Sequence, residues 1–399
     1  MSIRTGLLTG CAFIFFITSF GQEITDNKFG KGLIHVIASD SSYSMKMGLR
    51  MQSLFTSNWG IDKENGIGTG ESAFLIRRAR LKFDGYAYSP KLKYKLQLGL
   101  ANRDMSGVSE FTRNTPRFIL DAVVMWNFYE NFELWVGQTK LPGNREQLIS
   151  SGSLETVDRS LVNSNFNLGR EMGVQLHHKT SLGGDFLLKE AVSISQGEGR
   201  NITSANLGGH MYMGRLEFLP FGDFEAYSGA DFEREESPKL AVGLSYSFNN
   251  DAVQTESNAG DYMLTDAGFF QTDISTLFVD AMFKYRGFSL MGEYGNRTAD
   301  EAFARNTDGT LTGDVVNIGN GFNIQAGYLF PKDFQVVGRY TTIDPDATIS
   351  DVVQDQYTLT LSKYIAKHKL KVQTDLSYTN MNLGNEDGLQ YRLQFELQL

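Results

Sequence analysis

The chain is poor in three things: it has one cysteine, seven prolines and, beyond its N-terminus, no apolar run near the roughly 20 residues that a helix needs to cross a bilayer. The lone Cys11 lies in a stretch of leader type, with Arg4 at its start, an apolar core from Leu7 to Ile17 and the exit Ser19-Phe20-Gly21 before Gln22. Residues 1–21 read as a removed signal peptide; the alternative is a lipoprotein cleavage box at Leu8-Thr9-Gly10-Cys11, against which the apolar run continues past Cys11. Without Cys11 the chain holds no thiol, which excludes disulfides and cysteine chemistry and suits export to an oxidising compartment. Scarce proline beside 41 glycines and 12% aromatics suits many strands joined by tight turns. A mean hydropathy of -0.26 with 21% charged residues excludes a helical membrane protein. It leaves open a membrane barrel, where only alternate residues meet lipid.

What is present is alternation. In GLQYRLQFELQL (388–399), Leu389, Tyr391, Leu393, Phe395, Leu397 and Leu399 fall on one face, and Gln390, Arg392, Gln394, Glu396 and Gln398 on the other. The pattern recurs over 44–57, 73–88, 91–103, 116–128, 132–140, 169–180, 185–196, 208–219, 239–249, 272–286, 287–296, 321–331, 333–344, 354–366, 368–381 and 388–399. Connections alternate between short turns, such as those near Tyr129 to Asn131 and Arg286-Gly287, and longer polar loops. The expected fold is all-β: a transmembrane antiparallel barrel of about sixteen strands, with short periplasmic turns and long extracellular loops. It spans 44–399, after an N-terminal segment 22–43. Closure follows because lipid offers no partner to an open strand edge, so the last strand must pair with the first. Tyr86, Tyr88, Trp126, Phe128, Phe132, Tyr285, Phe288, Tyr328 and Phe330 flank the short turns as an interfacial girdle would. The connection Pro220 to Pro238, with Glu233, Glu235 and Glu236, reads as a solvated turn.

Sixteen strands leave a watery lumen, so the pattern implies passage of solutes. In FLIRRARLKFDG (74–85), Arg78, Arg80 and Lys82 share one face. On the lipid side each would cost about 2–4 kcal/mol at the midplane, so they belong in the pore. Arg77 has the lipid-side parity and is expected to snorkel or to be re-aimed by a local irregularity. The long connection from Lys140 to Glu171 is expected to fold inward as a constriction loop over about 140–169, contributing Lys140, Arg145, Arg159 and Arg170 against Glu146, Glu155, Asp158 and Glu171. These counts are equal, so charge in this loop alone decides no selectivity.

The stretches 74–101, 121–160 (DAVVMWNFYENFELWVGQTKLPGNREQLISSGSLETVDRS) and 169–178 (GREMGVQLHH) resemble the porin O/P family of phosphate-selective outer-membrane porins. The arginine pair with its R-A-R continuation and the G-Q-x-K-x-P segment carry the resemblance. It implies a barrel in the outer membrane of a Gram-negative bacterium, assembled as a trimer, with anions passing basic residues at the waist. By position, Arg77, Arg78 and Arg80 would belong to the basic constriction and Lys140 to a central anion site. The family's ladder of alternating arginines on a later strand has no counterpart between 185 and 240, and the chain carries a net charge of -9.

The expected function is therefore passive diffusion of small solutes through an outer-membrane porin, anion-preferring and in the narrower version phosphate-selective. Expected partners are small anions or phosphate, membrane lipid and two further copies of the chain, with no nucleic acid. The alternative is an outer-membrane barrel hydrolase. Of the histidines, His35, His177, His178, His210 and His368, the adjacent pair points to opposite faces of its strand and cannot share a metal; neither G-x-S-x-G nor H-E-x-x-H occurs. No catalytic residue, cofactor or metal is expected. Asp344, Asp346, Asp351 and Asp355 lack the spacing of a Ca²⁺ loop.

Overall fold

The computed structural model describes residues 23–24, 29–203, 206–384 and 386–399; the expected signal peptide lies outside them. Its main sheet has nineteen strands, of which Glu23–Ile24, Ile34–Ile37 and Gly66–Ile67 are short marginal pieces. The other sixteen close into an antiparallel barrel. They are β1 (Tyr43–Asp62), β2 (Glu71–Ala87), β3 (Ser89–Gly99), β4 (Ile119–Tyr129), β5 (Phe132–Lys140), β6 (Arg170–Gly183), β7 (Phe186–Ser195) and β8 (Met211–Leu219). The second half comprises β9 (Lys239–Ala252), β10 (Thr272–Tyr285), β11 (Phe288–Ala299), β12 (Gly319–Phe330), β13 (Phe334–Pro345), β14 (Gln354–Tyr364), β15 (Leu370–Met381) and β16 (Glu386–Gln398). Each corresponds to one segment of the alternating pattern.

Register explains which side chains meet lipid. The closing pair β16 to β1 runs from Glu386↔Asp62 to Gln398↔Arg50, so Leu393 faces outward with Phe55 while Gln394 and Glu396 face inward with Leu54 and Gln52. Outward positions are apolar and open, for example Val192, Ile194, Leu359 and Leu361. Inward neighbours Ser193, Ser195, Thr360 and Ser362 are polar and buried. Aromatics Tyr88, Trp126, Phe128, Tyr328 and Phe330 are exposed beside the short turns, with Tyr328 and Phe330 in ring contact at 4.8 Å.

β1 extends beyond the end of β16, which would leave an open edge from Met47 to Ser44. Ile34–Ile37 fills it, pairing Ile34 with Met47 and Ile37 with Ser44, immediately past the Leu49–Leu399 backbone bonds of 2.8 and 3.2 Å. Sheet edges are hazards when left unpaired.

Two irregularities re-aim the wall. On β2 the register shifts so that Gln52 opposes Arg78 and Ser53 opposes Ile76, leaving Arg77 as the extra residue of a bulge. On β5, Gly137 has φ +130°, and a Cβ there would lie 2.2 Å from the Ala122 carbonyl oxygen. Gly137→Ala should therefore cost about 1–3 kcal/mol, read as a lower denaturant midpoint of the folded barrel in detergent; a midpoint equal to wild type overturns this.

Two hairpins in the long loops, Leu264–Thr265 with Gly268–Phe269 and Phe303–Arg305 with Leu311–Val315, have no counterpart in the sequence reading.

Candidate functional site

Residues 141–169 turn into the barrel, because this segment carries both an apolar stripe and paired charges that the wall can match. Leu141, Val162, Phe166 and Leu168 bury against Met211, Met213, Phe278 and Ile343 of the inner wall, and Ile149 and Leu154 against Met282 and Met291. Polar anchors fix the path. The Glu155 carboxylate accepts bonds from Ser289 (2.5 Å), Gln325 (2.7 Å) and Gln335 (2.5 Å), donors on three successive strands. Arg145 is fully buried and donates to Asp280 at 2.8 Å and Glu217 at 3.0 Å. Arg215 binds the same two carboxylates at 2.7 and 3.1 Å, so two cations face two anions with little charge left over.

The other rim contributes a second intrusion. The segment 220–238 enters the lumen: Phe224 and Tyr227 pack on the Ile149 cluster, Ala226 lies under Leu219 and Ala241, and Phe232 stands edge-on to Tyr364. Its Gly229 amide donates to the Ser153 carbonyl at 2.8 Å and its Ala226 carbonyl accepts from Arg145. The expectation of a merely solvated turn is thus corrected for the segment as a whole. Its apolar residues needed burial, and only acids such as Glu233, paired with Lys367, stay at the rim.

Together the two segments fill the side of the lumen beneath β9 to β15. Against β2 to β8 a cavity of about 690 Å³ remains. Eight cationic side chains line it, among them Arg80, Lys95, Lys140, Arg159, Arg170 and Arg215, against four carboxylates, Glu130, Glu133, Glu190 and Glu217. The sequence reading did not single out Lys95, although its alternation with Leu96 was there to be used.

Each basic residue has a definite setting. The bulge turns Arg77 inward as well as Arg78, and both bind the Asp158 carboxylate of the inner loop, Arg78 at 3.3 Å. Burial would push the Asp158 carboxyl up, but Arg78, Arg77 and Arg392 overturn that and hold it below the usual carboxylate range. Arg80 forms a two-pronged pair with Asp104 of the loop after β3, at 2.8 and 2.7 Å. Lys82 pairs with Asp84 at 3.0 Å and is partly open to solvent. Lys95 (3.0 Å) and Arg170 (3.1 Å) share the buried Asp121, leaving one surplus positive charge.

The Lys140 ammonium donates to the carbonyls of Gln147 (2.6 Å), Leu148 (3.0 Å) and Ile149 (3.2 Å). Arg159 caps the same turn through Glu146 and Ile149 carbonyls, both at 2.8 Å. Among the described residues neither Lys140 nor Arg159 forms a salt bridge to a carboxylate, and burial followed by the nearby Arg78 lowers the Arg159 pKa. Neutral carbonyls orient these cations without cancelling their charge. Arg145, in contrast, serves as an anchor inside a compensated network, away from the cavity's lining.

His177 and His178 take opposite directions: His177 contacts Gln175 at 2.9 Å, while His178 stacks on Phe132 and meets Glu190 at 2.6 Å. No cluster of three metal-binding side chains occurs among the described residues.

A closed sixteen-stranded barrel with an apolar outside, a polar inside and an inward loop beside a water-accessible cavity defines a class, the outer-membrane porins. The chain belongs to the family described as phosphate-selective porin O and P, whose model matches residues 45–397. An uncharacterised protein of Aquifex aeolicus is 26% identical over 344 residues, 78% of this chain and 77% of that one. Among solved structures, the anion-selective porin of Comamonas acidovorans matches with 13% identity and a TM-score of 0.55, covering 90% of this chain and 100% of that one. OmpF of Salmonella typhi in complex with daunomycin matches with 11% identity and 0.53, covering 90% and 99%. OmpT of Vibrio cholerae in its trimer form matches with 10% identity and 0.52, covering 89% and 99%. At such identities the likeness is one of fold.

Proposed function

We propose that this porin passes small anions passively, in preference to cations, and that phosphate is among them. The observation that carries this is the cavity lining, cationic by eight side chains to four, with Lys140 and Arg159 held on carbonyls. An anion leaving bulk water exchanges part of its shell for these donors and departs because the binding is divided among several groups. Arg80, Lys95, Lys140, Arg159 and Arg170 form the inner face of the path. Arg77, Arg78 and Lys82 act on its approach through the field they set, softened by Asp158 and Asp84. The chain acts as a homotrimer in the outer membrane, an arrangement stated for OmpT in one of its solved forms.

The test is the reversal potential of single channels across a tenfold potassium chloride gradient. A potential on the chloride side of zero supports the proposal, and phosphate on one side should then reduce the chloride current. A potential at zero or on the potassium side overturns anion preference, and a chloride current indifferent to phosphate overturns the phosphate part.

A further inference from the structure

Trp135 is out of place for a membrane-interface tryptophan. Its neighbours Leu134 and Val136 alternate with it, and Val136 is the one open to the outside. Trp135 pairs with the buried Gln175, so it has the inward parity and lines the cavity. Trp126 on the adjacent strand, nearly half exposed on the outer face, shows what the girdle role looks like.

The inward indole is held in position. Its Nε1 donates to Glu133 at 3.0 Å, and its ring lies 4.2 Å from that of His177. His177 contacts Gln175, whose side-chain amide donates to the Lys140 carbonyl at 2.9 Å. A chain of contacts therefore joins the aromatic pair to the strand end that carries the basic group.

Register gives the relative placement. Trp135 and Gln175 occupy one inward level, and the next level toward the loops is Gly137 opposite Gly173, with Lys95 on the same line through Val123, two strands across. Lys95 and Arg170 converge on Asp121, further toward the loops. Two glycines thus leave the wall bare between an aromatic floor and the cations Lys95 and Arg170. A hydrated inorganic anion has no use for an indole and imidazole there. A carboxylate with an aryl body does: the ring covers apolar surface while the carboxylate reaches the cations.

We propose that the cavity is a subsite for amphipathic anions, namely aryl-substituted carboxylates. This rests on the anion-preferring function above and narrows its solute class. The aryl group sits at Trp135 and His177, and the carboxylate at Lys95 and Arg170.

The probes are 3-phenylpropionate and propionate, added separately at the short-turn side of channels carrying chloride current. In the wild type, 3-phenylpropionate should block with an apparent affinity about tenfold tighter than propionate. The ratio should fall toward one in Trp135→Ala and persist in Trp135→Phe. If Trp135→Ala does not insert, Trp135→Leu keeps bulk without a ring and the same ratio decides. Equal block by the two probes in wild type, or a ratio untouched by loss of the ring, overturns the subsite. The reversal potential on the same membranes separates the two proposals: chloride preference with a ratio of one overturns the subsite alone, whereas lost preference overturns the anion function beneath it.

Discussion

Arg145→Ala should give a channel of higher and noisier conductance, in a barrel that unfolds at lower denaturant. Arg145 is the one side chain that ties the inner loop to Asp280 and Glu217 on the wall and to the Ala226 carbonyl of the opposing intrusion. Without it, the two buried carboxylates keep Arg215 as their one close cation, with Lys189 4.0 Å from Glu217, and breaking such a network costs about 3–5 kcal/mol. The loop then loses its tie beside the cavity, so the path widens and fluctuates. Lysine should rescue little, since one ammonium cannot reproduce a fork that serves two carboxylates. Single-channel recording with a denaturant titration checks both halves, and wild-type conductance, noise and midpoint in Arg145→Ala would sink the assignment of Arg145 as the loop's latch.

Replacing Arg78 and Arg80 together with glutamate should move the reversal potential toward the cation side by a substantial part of the about 59 mV that a tenfold gradient sets for a monovalent ion. Each substitution reverses a charge that faces the lumen, and Asp104 loses the arginine that paired with it, whereas Asp158 keeps Arg77 and Arg103. Two cations become two anions beside one carboxylate left without its pair, which is why the effect exceeds that of neutralisation. Arg78 lies on the approach and Arg80 in the cavity lining, both away from the lipid face, so the barrel should still insert. An unchanged reversal potential in an inserted double variant would show that these arginines set no selectivity.

The barrel was readable because a membrane imposes period two on every strand at once. FLIRRARLKF also announced its own exception: an arginine with lipid parity has either to snorkel or to be turned, and the bulge at Arg77 turns it. Partners could not be read in the same way. That Asp158 would meet Arg77 and Arg78, or Asp104 meet Arg80, depends on loop paths across the lumen that no local pattern encodes. The equal charge count of the inner loop also concealed a division of labour, in which Arg145 is neutralised while Lys140 and Arg159 rest on carbonyls. In the segment 220–238 the acids drew attention, although Phe224, Tyr227 and Phe232 were the signal that it would go inside.

The first strand has two kinds of partner along a single edge. Its lower stretch is completed by Ile34–Ile37, about as near in sequence as an antiparallel neighbour can be, and its upper stretch by the last residues of the chain. The local half can form as soon as it is made, whereas the remote half waits for every intervening strand, a contact of the kind that slows folding most. Assembly of the cylinder should therefore finish at this seam, with the hairpin at its foot already standing as the template on which the final strand comes to rest.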